Sequence, residues 1–180
     1  FHAMIVALKH IKKDIKKVTV AIEGFGNVGW FVAKYVSEAG GKIVAVSDSR
    51  GVIYNKHGLD FEELVSVKQT KGTVTHYGDG KVFPGKEIIG VDCDVLVTAA
   101  IPDLIAESDV NTIKATLIIE GSNIPMSAHT EELLHKKGIL IVPDFVANAG
   151  GVISSWVEYI GKDEKYMFKV VEERITKNKL

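Results

Sequence analysis

The residues best suited to chemistry are three glycines. Gly24, Gly26 and Gly29 stand at G-x-G-x-x-G spacing in Glu23-Gly-Phe-Gly-Asn-Val-Gly29, after the apolar run Val18-Thr-Val-Ala-Ile. Each has a physical use at that spacing. Gly24 permits a tight turn out of a strand, Gly26 lets a pyrophosphate approach the backbone, and Gly29 lets the following helix lie close to the strand. The free N–H groups and positive dipole end of such a helix then face the phosphates. Asp48 follows Gly29 by about 20 positions, where a carboxylate can accept hydrogen bonds from an adenosine ribose. Its competing reading is a cap for the loop Ser49-Arg50-Gly51. The Arg50 guanidinium could instead receive the 2′-phosphate of NADP, so these residues leave NAD against NADP open.

Other chemistry is sparse. The six histidines have no metal-ligand spacing, and the chain carries no P-loop, nucleophile elbow or zinc-binding helix motif. Cys93 is the single cysteine, which excludes an internal disulfide and a multi-cysteine metal site, and its apolar surroundings read as those of a buried thiol. Asp144 follows a strand and suits a helix N-cap better than a general base. These residues describe a cofactor cradle with no catalytic acid, base or nucleophile and no metal site.

The cradle needs elements to position it. A strand over Thr19–Glu23 leads into a helix ending near Ala39, where Gly40-Gly41 supplies a left-handed stop. Further strands are expected at Lys42–Asp48, Asp94–Val97, Thr116–Gly121 and Ile139–Val142. Helices are expected over Leu59–Lys71, after Ala100, over Ser127–Lys136, through Trp156 and Tyr159, and along Met167, Val170, Val171 and Ile175. The stretch from Gly72 to Gly90 reads as short strands and loop without chemistry. Strands and helices alternating in this way predict a Rossmann-like, doubly wound α/β fold, with a mostly parallel sheet and helices on both faces.

We read residues 1–180 as a single dinucleotide-binding domain. Within it, Met4, Leu8, Ile11 and Ile15 form the inner face of an N-terminal helix over 1–17. A net charge of −1 gives no electrostatic case for nucleic acid or a membrane surface, and no apolar run approaches the roughly 18 residues of a span. A cytoplasmic protein is expected. The start at Phe1 and the short tail Lys177-Asn-Lys-Leu180 suggest a fragment.

With these residues in view, the chain resembles the cofactor-binding domain of the glutamate/leucine/phenylalanine/valine dehydrogenase family. The resemblance runs over nearly the whole chain. It is carried by Glu23-Gly-Phe-Gly-Asn-Val-Gly29, by Val44-Ala-Val-Ser-Asp-Ser-Arg-Gly51 with Ile53-Tyr54-Asn55, by Glu120-Gly-Ser-Asn123, and by Val146-Ala-Asn-Ala-Gly-Gly-Val152. Asn27 and the Ile-Tyr-Asn loop are closest to the glutamate branch.

The resemblance implies that Gly24, Gly26, Asn27, Val28 and Gly29 hold the pyrophosphate, and that Asp48 and Ser49 face the adenosine ribose. Ala99 and Ala100 would line the crevice, and Asn123 and Asn148 would lie near the nicotinamide ribose and carboxamide. Val152 and Ser155 would line the substrate's side-chain pocket. Read without the family, Val152 suits a helix core and Ser155 a helix-surface hydroxyl.

The implied activity is NAD- or NADP-linked oxidative deamination of L-glutamate to 2-oxoglutarate and ammonia. Its catalytic lysine and aspartate would come from a preceding substrate domain. The whole enzyme would form a homo-oligomer, and this piece a monomer or weak pair. The alternatives are a non-catalytic nucleotide-binding module, or a leucine, phenylalanine or valine dehydrogenase. The chain departs from the family pattern at Thr98, at Pro102-Asp103, at Ser122 and over Ile124-Pro-Met-Ser127, all toward the nicotinamide end.

Overall fold

The computed structural model of the chain describes residues 1–177; Asn178, Lys179 and Leu180, part of the short tail named above, lie outside the described residues. Strand side chains alternate between two faces, and that alternation decides the architecture. Val20 and Ile22 of β1 (Thr19–Glu23) enter one apolar cluster and Ala21 enters another, and all three are fully buried. A strand buried on both faces belongs inside a parallel sheet covered above and below.

β2 (Lys42–Asp48), β3 (Gly51–Tyr54), β4 (Lys81–Phe83), β5 (Val95–Thr98), β6 (Leu117–Glu120) and β7 (Leu140–Val142) join β1 in one sheet of order β4-β3-β2-β1-β5-β6-β7. The run β2-β1-β5-β6-β7 is parallel, and β3 and β4 add an antiparallel edge. The chain winds from β1 outward to β2, then returns to the other side of β1 to place β5. This reversal leaves a crevice beyond the carboxyl ends of β1, β2 and β5.

Four helices cover the first face: α1 (His2–His10), α2 (Asn27–Glu38), α3 (Phe61–Lys71) and, later in the chain, α7 (Glu164–Lys177). Met4, Val36, Leu64 and Ile175 carry them into the shared core. The second face is covered by α4 (Ala128–Lys136) through Leu134, and otherwise by irregular segments through Ile88, Leu104, Ile105, Val110 and Ile113. Each fully buried Leu or Ile contributes about 1.5–3 kcal/mol by leaving water. α5 (Asp144–Ala147) and α6 (Ala149–Tyr159) follow β7 at the rim.

Two expected helices are shorter or missing. The N-terminal helix stops at His10 rather than running to 17: Lys12 has φ +57°, and a separate 3-10 turn, Ile15–Lys17, follows with the Asp14 carboxylate accepting the Lys16 N–H. Ile11 and Ile15 still rest on the core, so their apolar spacing is satisfied without a continuous helix. Between Ala100 and Ala115 the only regular element is the 3-10 turn Glu107–Asp109. Pro102 has no N–H to continue a helix and Asp103 has φ +50°. The Asp103 and Ile105 N–H groups donate to the Ile124 and Pro125 carbonyls, so the segment adds itself to a neighbouring loop rather than coiling.

Candidate functional site

Gly24 leaves β1 with φ +92°, and a Cβ there would stand 2.6 Å from the Ala100 Cβ. At Gly29 a Cβ would lie 1.8 Å from the Gly24 carbonyl oxygen, so α2 can lie against the turn only with glycine at this position. Gly26 is different: a Cβ there meets nothing within 4 Å. It is the N-cap of α2, no side chain caps that helix, and Gly26, Asn27 and Val28 are exposed. An open backbone and an uncapped N-terminus facing a cleft of about 610 Å³ fit a diphosphate.

Two residues that the sequence gave no reason to single out hold this turn in shape. Ser47 of β2 accepts the Gly24 N–H at 3.0 Å. The Glu23 carboxylate, at the end of β1, accepts the Ala99 and Ala100 N–H groups at 3.0 Å each. Burial pushes the Glu23 carboxyl above its usual range, and these backbone donors, with that of Ile101, oppose the rise. Ala100 thereby lines the cleft, while Ala99 is buried behind it. A carboxylate closing a β-strand beside a small-residue loop is the signal that could have drawn attention to Glu23.

Asp48 reaches the other end of the cleft with its carboxylate already engaged. Oδ1 accepts from the Arg50 N–H at 2.9 Å and the Thr73 hydroxyl at 3.1 Å; Oδ2 accepts from the Lys68 ammonium at 2.8 Å and the Val74 N–H at 2.9 Å. Burial alone would raise this carboxyl, but the Lys68 ammonium and the other donors outweigh it and hold it below the usual value. Asp48 therefore plays the loop-capping part weighed against ribose recognition, and the supposedly inert stretch after Gly72 supplies two of its four donors. Ser49 and Arg50 form an exposed two-residue turn between β2 and β3.

Outside the lining of that cleft, the structure brings Asn123 and Asn148 together from segments far apart in sequence: the Asn148 amide donates to the Asn123 carbonyl at 2.6 Å. Behind them, Glu120 accepts the Asp144 N–H at 3.0 Å, and Asp144 accepts the Ile124 N–H at 2.9 Å. Asp144 lies inside α5 rather than capping it, and its side chain ties down the loop carrying Asn123. The expected N-cap role is corrected here; Pro143 occupies that position.

Glu120 is 1% exposed and its Oε1 has no partner among the described residues. Burial, then the charges of Glu131 and Asp144, push its carboxyl up to about 7.

The departures from the family pattern contact one another. The Ser122 hydroxyl donates to the Thr98 hydroxyl at 2.9 Å in a buried pair. Asp103 and Ile105 bond the Ile124–Pro125 backbone, and Ile105 bridges Met126. On α6, Val152 is 75% exposed, which rules out the helix-core reading. Ser155 is also exposed and its hydroxyl donates to the Gly151 carbonyl, in keeping with a helix-surface hydroxyl.

A doubly wound sheet with an open glycine turn at the strand reversal defines an α/β domain of the Rossmann-like class. The chain belongs to the Glutamate/Leucine/Phenylalanine/Valine dehydrogenase family, whose model matches residues 1–179. It is 44% identical to a glutamate dehydrogenase of Aeropyrum pernix over 96% of its own length and 43% of that relative's. It is 42% identical to the NADP-specific glutamate dehydrogenase of Saccharolobus shibatae over 78% of its length and 33% of that relative's; NAD-specific relatives match as well. The crystal structure of hetero-hexameric glutamate dehydrogenase from Thermus thermophilus, in its leucine-bound form, superposes with a TM-score of 0.87 at 26% identity, covering 98% of this chain and 44% of that one. The chain thus spans less than half the length of the relatives it matches.

Proposed function

We propose that the chain is the dinucleotide-binding domain of an amino-acid dehydrogenase that oxidatively deaminates L-glutamate to 2-oxoglutarate and ammonia in the cytoplasm. The observation that carries this reading is the Gly26 opening at the uncapped start of α2, in a chain of this family. NAD(H) or NADP(H), when bound, supplies the hydride acceptor or donor. Gly24, Gly26, Asn27, Val28 and Gly29 hold its diphosphate, and Asp48 and Ser49 edge the adenosine end.

Ala99 and Ala100, fixed by Glu23, wall the crevice. Asn123 and Asn148 orient the nicotinamide, since an amide both donates and accepts and can fix which ring face is presented. Val152 and Ser155 stand exposed where substrate from a second domain would meet the ring. That domain supplies the acid–base groups and the main contacts of an oligomer, and nucleic acid and membrane are not partners. Among the described residues no helix is long and apolar enough to cross a membrane.

Titration calorimetry of the chain with NADH and NADPH tests the binding claim, and glutamate-dependent reduction of NAD or NADP by the full-length protein tests the activity. The chain alone is expected to bind and not to turn over; failure to bind either dinucleotide would overturn the reading.

A further inference from the structure

Family membership does not choose between the two dinucleotides, but the adenosine end of the cleft does. We propose that this end is a 2′-phosphate subsite, that the chain prefers NADP(H), and that Lys68 decides the preference through its hold on Asp48; this rests on the dinucleotide reading above. A carboxylate at the end of the second strand selects NAD by accepting the ribose 2′-hydroxyl. To do so it needs a free lone pair facing the cleft. A carboxylate has about four acceptor sites, and all four of Asp48's are taken, by Arg50, Lys68, Thr73 and Val74. Its side chain is only 5% exposed.

The Lys68–Asp48 pair points the same way. The Lys68 ammonium, 2.8 Å from Oδ2 and 32% exposed, cancels the repulsion that Asp48 would exert on a phosphate. An ammonium has three donors, and the contact with Asp48 uses one. Lys68, Ser49, Gly85 and Lys86 line the cleft together. Lys86 is bound to Asp109 at 2.9 Å. Ser49 is exposed in the turn. A phosphate finds the spare ammonium donors of Lys68 here, whereas a ribose hydroxyl finds no acceptor on Asp48.

The test uses probes that lack the nicotinamide: adenosine 2′,5′-bisphosphate and adenosine 5′-monophosphate, with NADPH and NADH beside them, in titration calorimetry. A charge-assisted hydrogen bond corresponds to about 10- to 100-fold in affinity. The bisphosphate is therefore expected to bind at least about tenfold tighter than the monophosphate, and NADPH tighter than NADH by a similar factor. Lys68→Met should remove most of that factor while leaving monophosphate affinity within about threefold, and Lys68→Arg should retain it.

Ser49→Glu, an exposed turn position that does not threaten folding, should reverse the preference. Equal or tighter binding of the monophosphate and NADH by the unaltered chain overturns the proposal while sparing the dinucleotide reading. Absence of binding by all four probes overturns both. Loss of both adenosine probes alike in Lys68→Met would also refute it, because the lysine would then serve the fold and not the phosphate.

Discussion

Glu120→Gln should stabilise the protein above neutral pH and do little below pH 5. Glu120 closes β6 with one oxygen on the Asp144 N–H and the other without a partner among the described residues, beside the charges of Glu131 and Asp144. Its carboxyl moves from the usual 4.5 to about 7 on folding. The folded state thus holds this proton more tightly than the unfolded chain. Its contribution to stability is complete below about 4.5, declines as the pH rises toward 7, and stays lost above it. The displacement sets the scale of that contribution at about 3 kcal/mol, as an upper limit.

Glutamine is neutral throughout. Its carbonyl can keep the Asp144 hydrogen bond, and its amide would face Glu131 and Asp144 as a donor. Thermal or urea unfolding from pH 5 to 8.5 reads the difference directly, because other carboxyls titrate alike in both proteins. The variant should match the parent at pH 5 and exceed it at pH 8, by about 3–10 °C in Tm for a chain of this size. A difference that stays flat across that range, or a variant weaker at pH 8, would refute the assignment of a buried, high-pKa carboxyl.

Gly26→Ala should leave stability within about 1 kcal/mol, since its Cβ enters open space, and should weaken NADPH binding by tenfold or more; Gly29→Ala should cost more than about 2 kcal/mol because its Cβ meets the Gly24 backbone. Unfolding midpoints with a dinucleotide titration separate the two. Thr98→Val should cost about 1–2 kcal/mol by leaving the Ser122 hydroxyl alone, and Thr98→Val with Ser122→Ala should recover part of that loss in a urea double-mutant cycle. Asp48→Ala should cost about 2–4 kcal/mol at neutral pH by orphaning the Val74 and Arg50 N–H groups. Because folding lowers the Asp48 carboxyl, that cost should shrink as pH falls through the usual 3.8, which urea midpoints at pH 7 and 3.5 would show.

The sheet and the cradle were legible because their causes are local. Unbroken apolar runs mark strands buried on both faces, and glycine spacing marks the tight turn from β1 into α2. Helix stops at Gly40 and Gly72 follow from their left-handed backbone. What the sequence hid depends on partners distant along the chain. The apolar residues after Ala100 carry enough spacing to read as helix, yet their backbone pairs with the Ile124–Met126 loop, a contact invisible to periodicity. The departures at Thr98 and Ser122 look unrelated in the sequence and are one hydrogen bond in space.

Asp48 shows how spacing alone leaves a role undecided. The parallel strands β1, β2 and β6 end in carboxylates: Glu23, Asp48 and Glu120. Each lies where ligands lie across such a sheet, and each accepts backbone N–H groups from a neighbouring loop. Glu23 fixes Ala99 and Ala100, Asp48 fixes the turn at Arg50 and the segment at Val74, and Glu120 fixes the start of α5. The carboxylates set the rim of the crevice, while backbone, hydroxyl, amide and ammonium groups are left facing its interior. For a cofactor that carries several negative charges this division lowers the repulsion at two of the three strand ends: Glu23 and Asp48 are held under donors, so their charges are partly neutralised before a ligand arrives.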